Sequence, residues 1–210
     1  LVVVAEHEPE ESWVRERLWH IRANRVLIAT GAVERPLIFS NNDKPGIMLC
    51  AAVARYITRY AAVPGQRAVI YTNNSTVYAH IATLSEAGVK IEKIVDSRPK
   101  ISEQEEDLAQ AHSVPVLLGS QILDVKGWRA VSSVSVATPA GVITVSCDLV
   151  CHSGGWNPLV HLHSHAGGKP IFDQATATFV PGKPAQHENC IGGAKGIFSI
   201  SQSIDDATDV

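Results

Sequence analysis

The chain has 210 residues, 45% of them hydrophobic, which is enough for one large domain or two small domains with hydrophobic cores. Acidic and basic residues are mixed and the formal net charge is −3, so we expect no nucleic-acid partner. The longest apolar runs, such as LVVVA and VLIAT, are too short to cross a bilayer, and we expect no membrane span.

The first third of the chain is predicted to contain short strands and one helix. Residues 1–5 and 17–22 are extended stretches on either side of an acidic connection. Residues 26–30 form an apolar run followed by a glycine, a pattern typical of a buried parallel strand. After a loop rich in proline and asparagine, a helix is predicted over residues 48–60, and the proline and glycine at 64 and 65 end it.

Strands and helices alternate through the middle of the chain, which predicts a parallel sheet with crossover helices. Gly88 is a common helix stop, and Ser102 followed by Glu105 has the capping-box pattern that begins a helix. The predicted strands lie at residues 68–72, 89–96 and 114–118, and the predicted helices lie at residues 75–86 and from residue 102 onward.

Three strand-like segments follow at residues 122–125, 131–137 and 142–145, with a hairpin turn at residues 139–141. Residues 149–152 return to the buried-strand pattern. Together these elements predict a three-layer α/β fold with a parallel sheet and an antiparallel meander.

An internal repeat indicates the domain organisation. Residues 17–36 and 141–158 each contain a strand, a polar step, a second apolar strand, a small-residue end and a proline. We therefore expect two Rossmann-like domains of the FAD/NAD(P)-binding type. The first is discontinuous, with residues 1–47 and 153–210, and the second, residues 48–152, is inserted into it. The chain does not begin with Met and has no glycine-rich turn for the first domain, so we expect that domain to be truncated and the chain to be a fragment.

The turn after the predicted strand at residues 68–72 carries no glycine. Thr72, Asn73 and Asn74 stand where a dinucleotide-binding turn has its glycines, and Ser75 is expected to cap the helix that follows. Two interpretations remain open for this turn: a weak nucleotide site that uses the free N–H groups of the helix, and a degenerate crossover kept for packing.

An acidic residue ends the next predicted strand. Asp96 lies where an acid would meet a ribose hydroxyl in a dinucleotide-binding domain. Arg98 follows two residues later, so the choice between NAD and NADP stays undecided.

Two glycine-containing turns are further candidates for binding. Thr30, Gly31 and Ala32 lie at the carboxyl end of a predicted parallel strand, where open α/β sheets bind ligands. Gly192 and Gly193 precede the last predicted helix. The alternative for residues 30–32 is a tight turn that needs a small residue. The alternative for Gly192 and Gly193 is a glycine-rich entry into the helix.

No catalytic residue and no metal site are predicted. The segment HLHSH, residues 161–165, would bring three histidines to one face of a strand, but the prolines and glycines around it favour a solvated surface. The four cysteines form no C-x-x-C pair, which favours reduced thiols and a cytoplasmic protein. They are Cys50, Cys147, Cys151 and Cys190.

A resemblance to a known family rests on two blocks of sequence. They are ERPLIFSNNDKPG, after the strand at residues 26–30, and SGGWNP, after the strand at residues 149–152. With them the chain resembles the alpha subunits of heterotetrameric sarcosine oxidases, and the related subunits of opine oxidases and cyanide synthases. These proteins lie in the superfamily of pyridine nucleotide–disulfide oxidoreductases, which have two dinucleotide-binding domains. The resemblance covers nearly the whole chain.

The resemblance implies a complex that oxidatively demethylates sarcosine to glycine, formaldehyde and hydrogen peroxide. It implies that the amine is oxidised on another subunit and that the alpha subunit binds NAD, with FAD as a second candidate. By the same resemblance, residues 30–32 contact the dinucleotide of the first domain and Gly192 and Gly193 approach the middle of the cofactor.

Three expectations follow for the chain itself. As a fragment, it would have no oxidase activity of its own, would associate with the other subunits of a hetero-oligomeric oxidase, and would self-associate through exposed apolar surface. The alternative function is a non-catalytic α/β scaffold that docks an oxidase partner subunit, and the alternative enzyme is the alpha subunit of an opine oxidase or another amine oxidase.

Overall fold

The structure, a computed structural model, describes residues 2–8 and 13–209 and divides them into two compact units. The outer unit comprises the described residues of Leu1–Val33 and Asn157–Val210, and the inner unit is Glu34–Trp156. The inner unit is therefore inserted into the outer one. Its limits lie outside the sequence-based limits of 48 and 152, because residues 34–37 are hydrogen-bonded to residues 152–155.

The described strands and helices are short. The strands are β1 (Val2–His7), β2 (Glu16–Ile21), β3 (Val26–Ile28), β4 (Ala32–Glu34), β5 (Ile47–Leu49), β6 (Arg67–Thr72), β7 (Lys90–Asp96), β8 (Val116–Leu117), β9 (Gln121–Lys126), β10 (Ser133–Thr138), β11 (Gly141–Ser146), β12 (Leu149–Ser153), β13 (Trp156–Pro158), β14 (Ile171–Asp173), β15 (Thr178–Val180) and β16 (Glu188–Cys190). The α-helices are α1 (Cys50–Tyr60), α2 (Ile81–Glu86), α3 (Glu103–Ala111), α4 (His161–His165) and α5 (Ile200–Thr208), with 3-10 turns at Thr76–His80 and Gly192–Lys195. No helix among them combines the length and the apolar character needed to cross a membrane.

The inner unit has three layers. Its five parallel strands lie in the order β5-β12-β6-β7-β8, and the meander β9-β10-β11 is antiparallel. Strand β6 shows why the sheet is buried on both faces. Ala68 and Ile70 pack with the helices α1, α2 and α3, whereas Val69 and Tyr71 pack with the meander. The α/β fold with a parallel sheet and an antiparallel meander is thus confirmed.

Two predicted helix boundaries in the inner unit need correction. The helix predicted from Met48 begins at Cys50, because residues 47–49 form β5 and pair in parallel with β12. The helix predicted over residues 75–86 divides into a 3-10 turn and α2. The predicted capping box is present: Glu105 N–H donates to Ser102 Oγ at 3.4 Å, and Ser102 N–H donates to Glu105 Oε2 at 2.7 Å.

Three small strand pairs lie within the described residues of the outer unit. Strands β1 and β2 pair antiparallel, as do β14 and β15, whereas β3 and β16 pair in parallel. The predicted strand at residues 26–30 is therefore present as β3, but only Ile28 is fully buried and Leu27 is 49% exposed. Ile28 packs with Cys190 and Ala194 in a small core. Leu1 and residues 9–12 of the predicted acidic connection lie outside the described residues.

Large apolar side chains are exposed in the outer unit. The hairpin of β1 and β2 exposes Leu18 and Trp19, and helix α5 exposes Ile200 and Ile204. The rings of Phe172 and Phe179, on the β14–β15 hairpin, stack edge to face with centroids 5.4 Å apart while both remain more than half exposed. Exposed apolar groups of this size are typical of surfaces that contact other proteins.

Candidate functional site

The candidate residues of the inner unit lie at the carboxyl ends of three adjacent strands. Thr72, at the end of β6, is in register with Ser153 of β12 on one side and with Asp96 of β7 on the other. Ligands of open α/β sheets bind outside such strand ends. The side chains at this edge therefore decide whether a nucleotide can enter.

Asn74 bridges the two central strand ends. Its Nδ2 donates to the Ser153 carbonyl oxygen at 3.0 Å and lies 3.3 Å from Ser153 Oγ. Its Oδ1 accepts hydrogen bonds from Thr76 N–H at 3.0 Å and from Thr76 Oγ1 at 2.6 Å. The amide thus fills the space between β6 and β12, and it accepts the N–H that a phosphate oxygen would take in a glycine-rich turn.

The expectation that Ser75 caps the helix was wrong, because its side chain makes no capping hydrogen bond and Asn74 takes that part. Ser75 Oγ instead accepts a hydrogen bond from Arg98 Nη1 at 3.0 Å. The turn is closed by Thr72, whose Oγ1 donates to the Asn74 carbonyl and accepts from Asn74 N–H, both at 3.0 Å. Asn73 is exposed, and neither asparagine uses the left-handed conformation.

Asp96 is fully buried and bound by its own chain. Tyr78 OH donates to its Oδ2 at 2.9 Å, and Arg98 donates from its backbone N–H at 2.9 Å and from Nη2 at 2.7 Å. Arg98 Nη2 also donates to Glu105 at 2.8 Å. The carboxylate is therefore occupied at the position where a ribose hydroxyl would bind.

The charges of this cluster stabilise each other. Burial alone would raise the pKa of Glu105, but hydrogen bonds from Ser102 and Arg98 lower that pKa to about 2. Burial and the Asp96 carboxylate raise the pKa of the Tyr78 hydroxyl, so Tyr78 remains a donor. In this cluster the Arg98 guanidinium is paired with the carboxylates of both Asp96 and Glu105. The cluster therefore offers no unpaired positive charge to a pyrophosphate.

The two sequence blocks that carry the resemblance lie against each other in the inner unit. Arg35 N–H donates to the Gly155 carbonyl at 2.8 Å, and Gly154 N–H donates to the Arg35 carbonyl at 2.7 Å. A Cβ at Gly154 would lie 3.1 Å from the Pro36 carbonyl oxygen, so a side chain there would push that carbonyl away. Glu34 accepts the Ala51 N–H at 3.0 Å in the first turn of α1, and burial raises its pKa. These contacts give the two sequence blocks a structural role.

In the outer unit the predicted glycines are in contact. A Cβ at Gly193 would lie 3.2 Å from Gly31 Cα and 3.4 Å from Ala32 N, so the two turns approach at the distance of their backbones. Thr30 Oγ1 donates to the Leu159 carbonyl at 2.9 Å. A Cβ at Gly31, whose φ is +73°, would meet nothing within 4 Å, so the space beside this residue is open.

Sequence reasoning missed an acid beside these glycines. Asp206 of α5 accepts the Gly192 N–H at 3.0 Å and forms an ion pair with Lys195. The ion pair and the Gly192 hydrogen bond lower the pKa of Asp206. Asp206 lies 14 residues after Gly192, and no motif spacing in the sequence connects the two. The acid beside the glycines therefore comes from α5 and not from the residues next to them in the sequence.

The histidine segment is helical, so its three histidines do not share a strand face. His163 of α4 is buried, with Nδ1 3.3 Å from Glu188 Oε1, whereas His161 and His165 are exposed. Within residues 2–8 and 13–209, no group of three His, Cys, Asp or Glu side chains is arranged to hold a metal ion. The four cysteines are buried free thiols.

The solved structures that the chain resembles include two thioredoxin reductases and an FAD-dependent pyridine nucleotide-disulphide oxidoreductase. Thioredoxin reductase of T. acidophilum superposes with a TM-score of 0.70 at 17% identity, over 90% of this chain and 63% of that one. Thioredoxin reductase of Lactococcus lactis gives 0.69 at 15% identity, over 100% and 71%. An FAD-dependent pyridine nucleotide-disulphide oxidoreductase of Desulfovibrio vulgaris gives 0.56 at 16% identity, over 84% and 49%. The fold class is therefore confirmed.

Curated sequences give a more particular likeness. The chain is 37% identical over 187 residues to sarcosine oxidase subunit alpha of Rhizobium meliloti, covering 89% of this chain and 18% of that protein. It is 35% identical over 198 residues to the same subunit of Corynebacterium sp. (strain P-1), covering 90% and 20%. No family model matches the chain. The resemblance to sarcosine oxidase alpha subunits is confirmed, and the chain spans about a fifth of their length.

Proposed function

We propose that the chain is the dinucleotide-binding part of the alpha subunit of a sarcosine oxidase-like flavoenzyme complex. The complex would oxidatively demethylate sarcosine to glycine, formaldehyde and hydrogen peroxide, with the amine oxidised on another subunit. The observation that carries this proposal is the sequence similarity to sarcosine oxidase alpha subunits over nine tenths of the chain.

The proposed cofactor is NAD, with FAD as the second candidate, and the proposed contact is the pair of glycine turns in the outer unit. Gly31 and Gly193 present backbone atoms, and open space adjoins Gly31. Residues without a Cβ allow a pyrophosphate to come close to the backbone N–H groups. Thr72, Asn73, Asn74 and Asp96 are proposed to be structural, because three of these side chains are bound within the inner unit and Asn73 is exposed.

Calorimetric titration with NAD, NADP and FAD tests this assignment, with the protein expressed from its whole reading frame together with its partner subunits. We expect NAD to bind, Gly31→Val to weaken binding at least about tenfold, since a side chain would enter the open space, and Asn74→Ala to leave the affinity unchanged. Loss of binding in Asn74→Ala with normal binding in Gly31→Val would reverse the assignment of the two units. Peroxide formation on addition of sarcosine tests the reaction itself.

A second candidate function is a scaffold that docks an oxidase subunit and binds no nucleotide. The Asn74 bridge favours this for the inner unit, because it closes the edge at which such a domain binds its ligand. The alpha subunit of an opine oxidase or another amine oxidase is the corresponding alternative enzyme. Tight binding of any of the three nucleotides to the whole protein would reject the pure scaffold.

The remaining proposals concern the setting of the protein. The partners are other subunits of a hetero-oligomeric oxidase, and the buried free thiols suit the cytoplasm. The chain of 210 residues is proposed to lack oxidase activity and to self-associate through the exposed apolar groups of its outer unit. Size exclusion over a hundredfold range of concentration tests the self-association, and a constant monomer volume would reject it.

A further inference from the structure

A small cavity in the outer unit contains buried polar atoms that have no partner. Its volume is about 260 Å³, and its wall includes His163, Glu188, Cys190 and Lys195 together with a loop of prolines and glycine at residues 181–184. His163 Nε2 and Glu188 Oε1 are buried and have no hydrogen-bond partner. Buried polar atoms are nearly always paired, so these two call for a ligand.

The two side chains are held in fixed positions. His163 is 1% exposed and Glu188 is 3% exposed. The imidazole ring lies directly against Gly168, where a Cβ would come within 2.1 Å of the ring, so the chain leaves room for this ring by using glycine. Glu188 Oε2 accepts the Gln186 N–H at 3.0 Å, which fixes the carboxylate and leaves Oε1 without a hydrogen bond.

Glu188 Oε1 is an acceptor, and His163 Nε2 is an acceptor in the neutral imidazole whose proton lies on Nδ1. His163 Nδ1 faces Glu188 Oε1 at 3.3 Å, so in the neutral imidazole the proton lies on Nδ1 and Nε2 carries a lone pair. The 3.3 Å contact is not aligned well enough to count as a hydrogen bond, and Oε1 therefore still requires a donor.

The Lys195 and Cys190 side chains of the cavity wall do not supply that donor. The Lys195 ammonium is paired with Asp206. Burial and the neighbouring Glu188 raise the pKa of the Cys190 thiol, which stays neutral and is a weak donor. A bound metal ion is disfavoured, since the described residues hold no group of three side chains arranged to ligate one. The missing group is a molecular donor, and next to a carboxylate it is favoured as a cation.

We propose that this cavity binds a small ammonium compound, whose N–H groups donate to Glu188 Oε1 and His163 Nε2. The volume of about 260 Å³ accommodates an ammonium ion or a small alkylammonium ion and is too small for a dinucleotide. The proposal does not depend on where the dinucleotide binds, because neither residues 30–32 nor the glycines 192 and 193 line the cavity.

Calorimetric titration of the 210-residue protein with ammonium chloride, methylammonium chloride and tetramethylammonium chloride tests the proposal. We expect saturable binding of the first or second salt, and their affinities distinguish the free ion from an alkylammonium ligand. Tetramethylammonium has the same charge but no N–H, and should give only the heat of dilution. Equal responses to all three salts, or none at about 100 mM, would show an ionic-strength effect or a cavity filled by water and would overturn the proposal.

Substitutions place the ligand within the cavity. Glu188→Gln keeps the shape of the side chain but removes its charge, and should weaken binding at least about tenfold. His161→Gln is the matched control, because His161 lies on α4 with His163 but is exposed, and this variant should bind as the parent does. If Glu188→Gln fails to fold, the ¹⁵N shifts of the His163 ring in the parent protein take its place. A saturable shift of Nε2 on titration with methylammonium is expected, and an unchanged Nε2 signal would overturn the proposal.

Discussion

The two units end their parallel strands in opposite ways. In the inner unit, side chains fill the strand ends: Asn74 spans the gap to Ser153, and Arg98 covers Asp96. In the outer unit, Gly31 and Gly193 meet through their backbones and leave open space beside Gly31. The ends of parallel strands can therefore be filled or open, and the side chains of a few turn residues decide which.

The filled edge reproduces with side chains the contacts that a nucleotide makes in other proteins of this fold class. The side-chain amide oxygen Oδ1 of Asn74 accepts a helix-terminal N–H, and Arg98 and Tyr78 satisfy the acid at the end of the next strand. A domain that satisfies its own polar groups needs no ligand for stability. Breaking each of these contacts in turn tests that view.

The largest effect is expected from Arg98→Met, which removes the only arginine between Asp96 and Glu105 in the described cluster. Since Asp96 is fully buried, its charge would be left unpaired, and we expect the free energy of unfolding to fall by about 3–5 kcal/mol. Urea unfolding monitored by circular dichroism measures this. Arg55→Met, at an exposed position of α1, should change it by less than about 0.5 kcal/mol. Equal effects of the two variants would show that the cluster contributes nothing specific.

The open edge is tested by Gly193→Val. A side chain there would press on the Gly31 backbone from 3.2 Å, and we expect a loss of about 1–3 kcal/mol from overpacking. A Cβ at Gly31 would meet no atom within 4 Å. We therefore expect Gly31→Ala to lower the free energy of unfolding by only about 1–2 kcal/mol, which is the cost of placing alanine in the left-handed conformation. Thermal unfolding of both variants provides the measurement. A more stable Gly193→Val than Gly31→Ala would contradict the close contact of the two turns.

A smaller effect is expected from Asn74→Ala, which removes the bridge to Ser153 and the acceptor for Thr76. The loss should be about 1–2 kcal/mol, because a helix cap and a partly buried hydrogen bond disappear together. Asn73→Ala is the matched control next to it, and its exposed side chain should contribute less than about 0.5 kcal/mol. Chemical denaturation separates the two, and a larger loss in Asn73→Ala would reject the bridge as the stabilising contact.

The smallest effect concerns acid. The folded state lowers the pKa of Glu105 to about 2 from its usual 4.5, so its contribution to stability is complete above pH 4.5 and is lost as the pH falls from 4.5 towards 2. Glu105→Gln should flatten this part of the stability curve and move the acid unfolding midpoint by about 0.5 pH unit. Glu103→Gln, exposed on the same helix turn, should keep the slope. An unchanged slope in Glu105→Gln would show that other carboxyl groups determine acid unfolding.

The inner sheet could be predicted because its strands are buried on both faces. Strand β6 is an apolar run with Ala68 and Ile70 on one face and Val69 and Tyr71 on the other. In a segment this short, such a run is typical of a strand that is buried on both faces. The α3 capping box was likewise local, since Ser102 and Glu105 are only three residues apart.

What could not be predicted depends on partners far along the chain. The segment of β5 has only three residues and becomes a strand through its pairing with β12, about 100 residues later. The Asn74 bridge needs Ser153, and the acid beside Gly192 comes from α5. In each case the residue type was visible, but the contact that gives it a role was set by the tertiary fold.

The position of β12 has a consequence for synthesis of the protein. Strand β5 pairs with no described strand other than β12, and β12 lies between β5 and β6 although it follows them by roughly 80 to 100 residues. A nascent chain that has not yet released residue 153 from the ribosome therefore holds two unjoined sheet edges, which are the apolar strands β5 and β6. The inner unit can complete its sheet only after translation has passed this point, and until then these edges are the surfaces that a chaperone would have to shield.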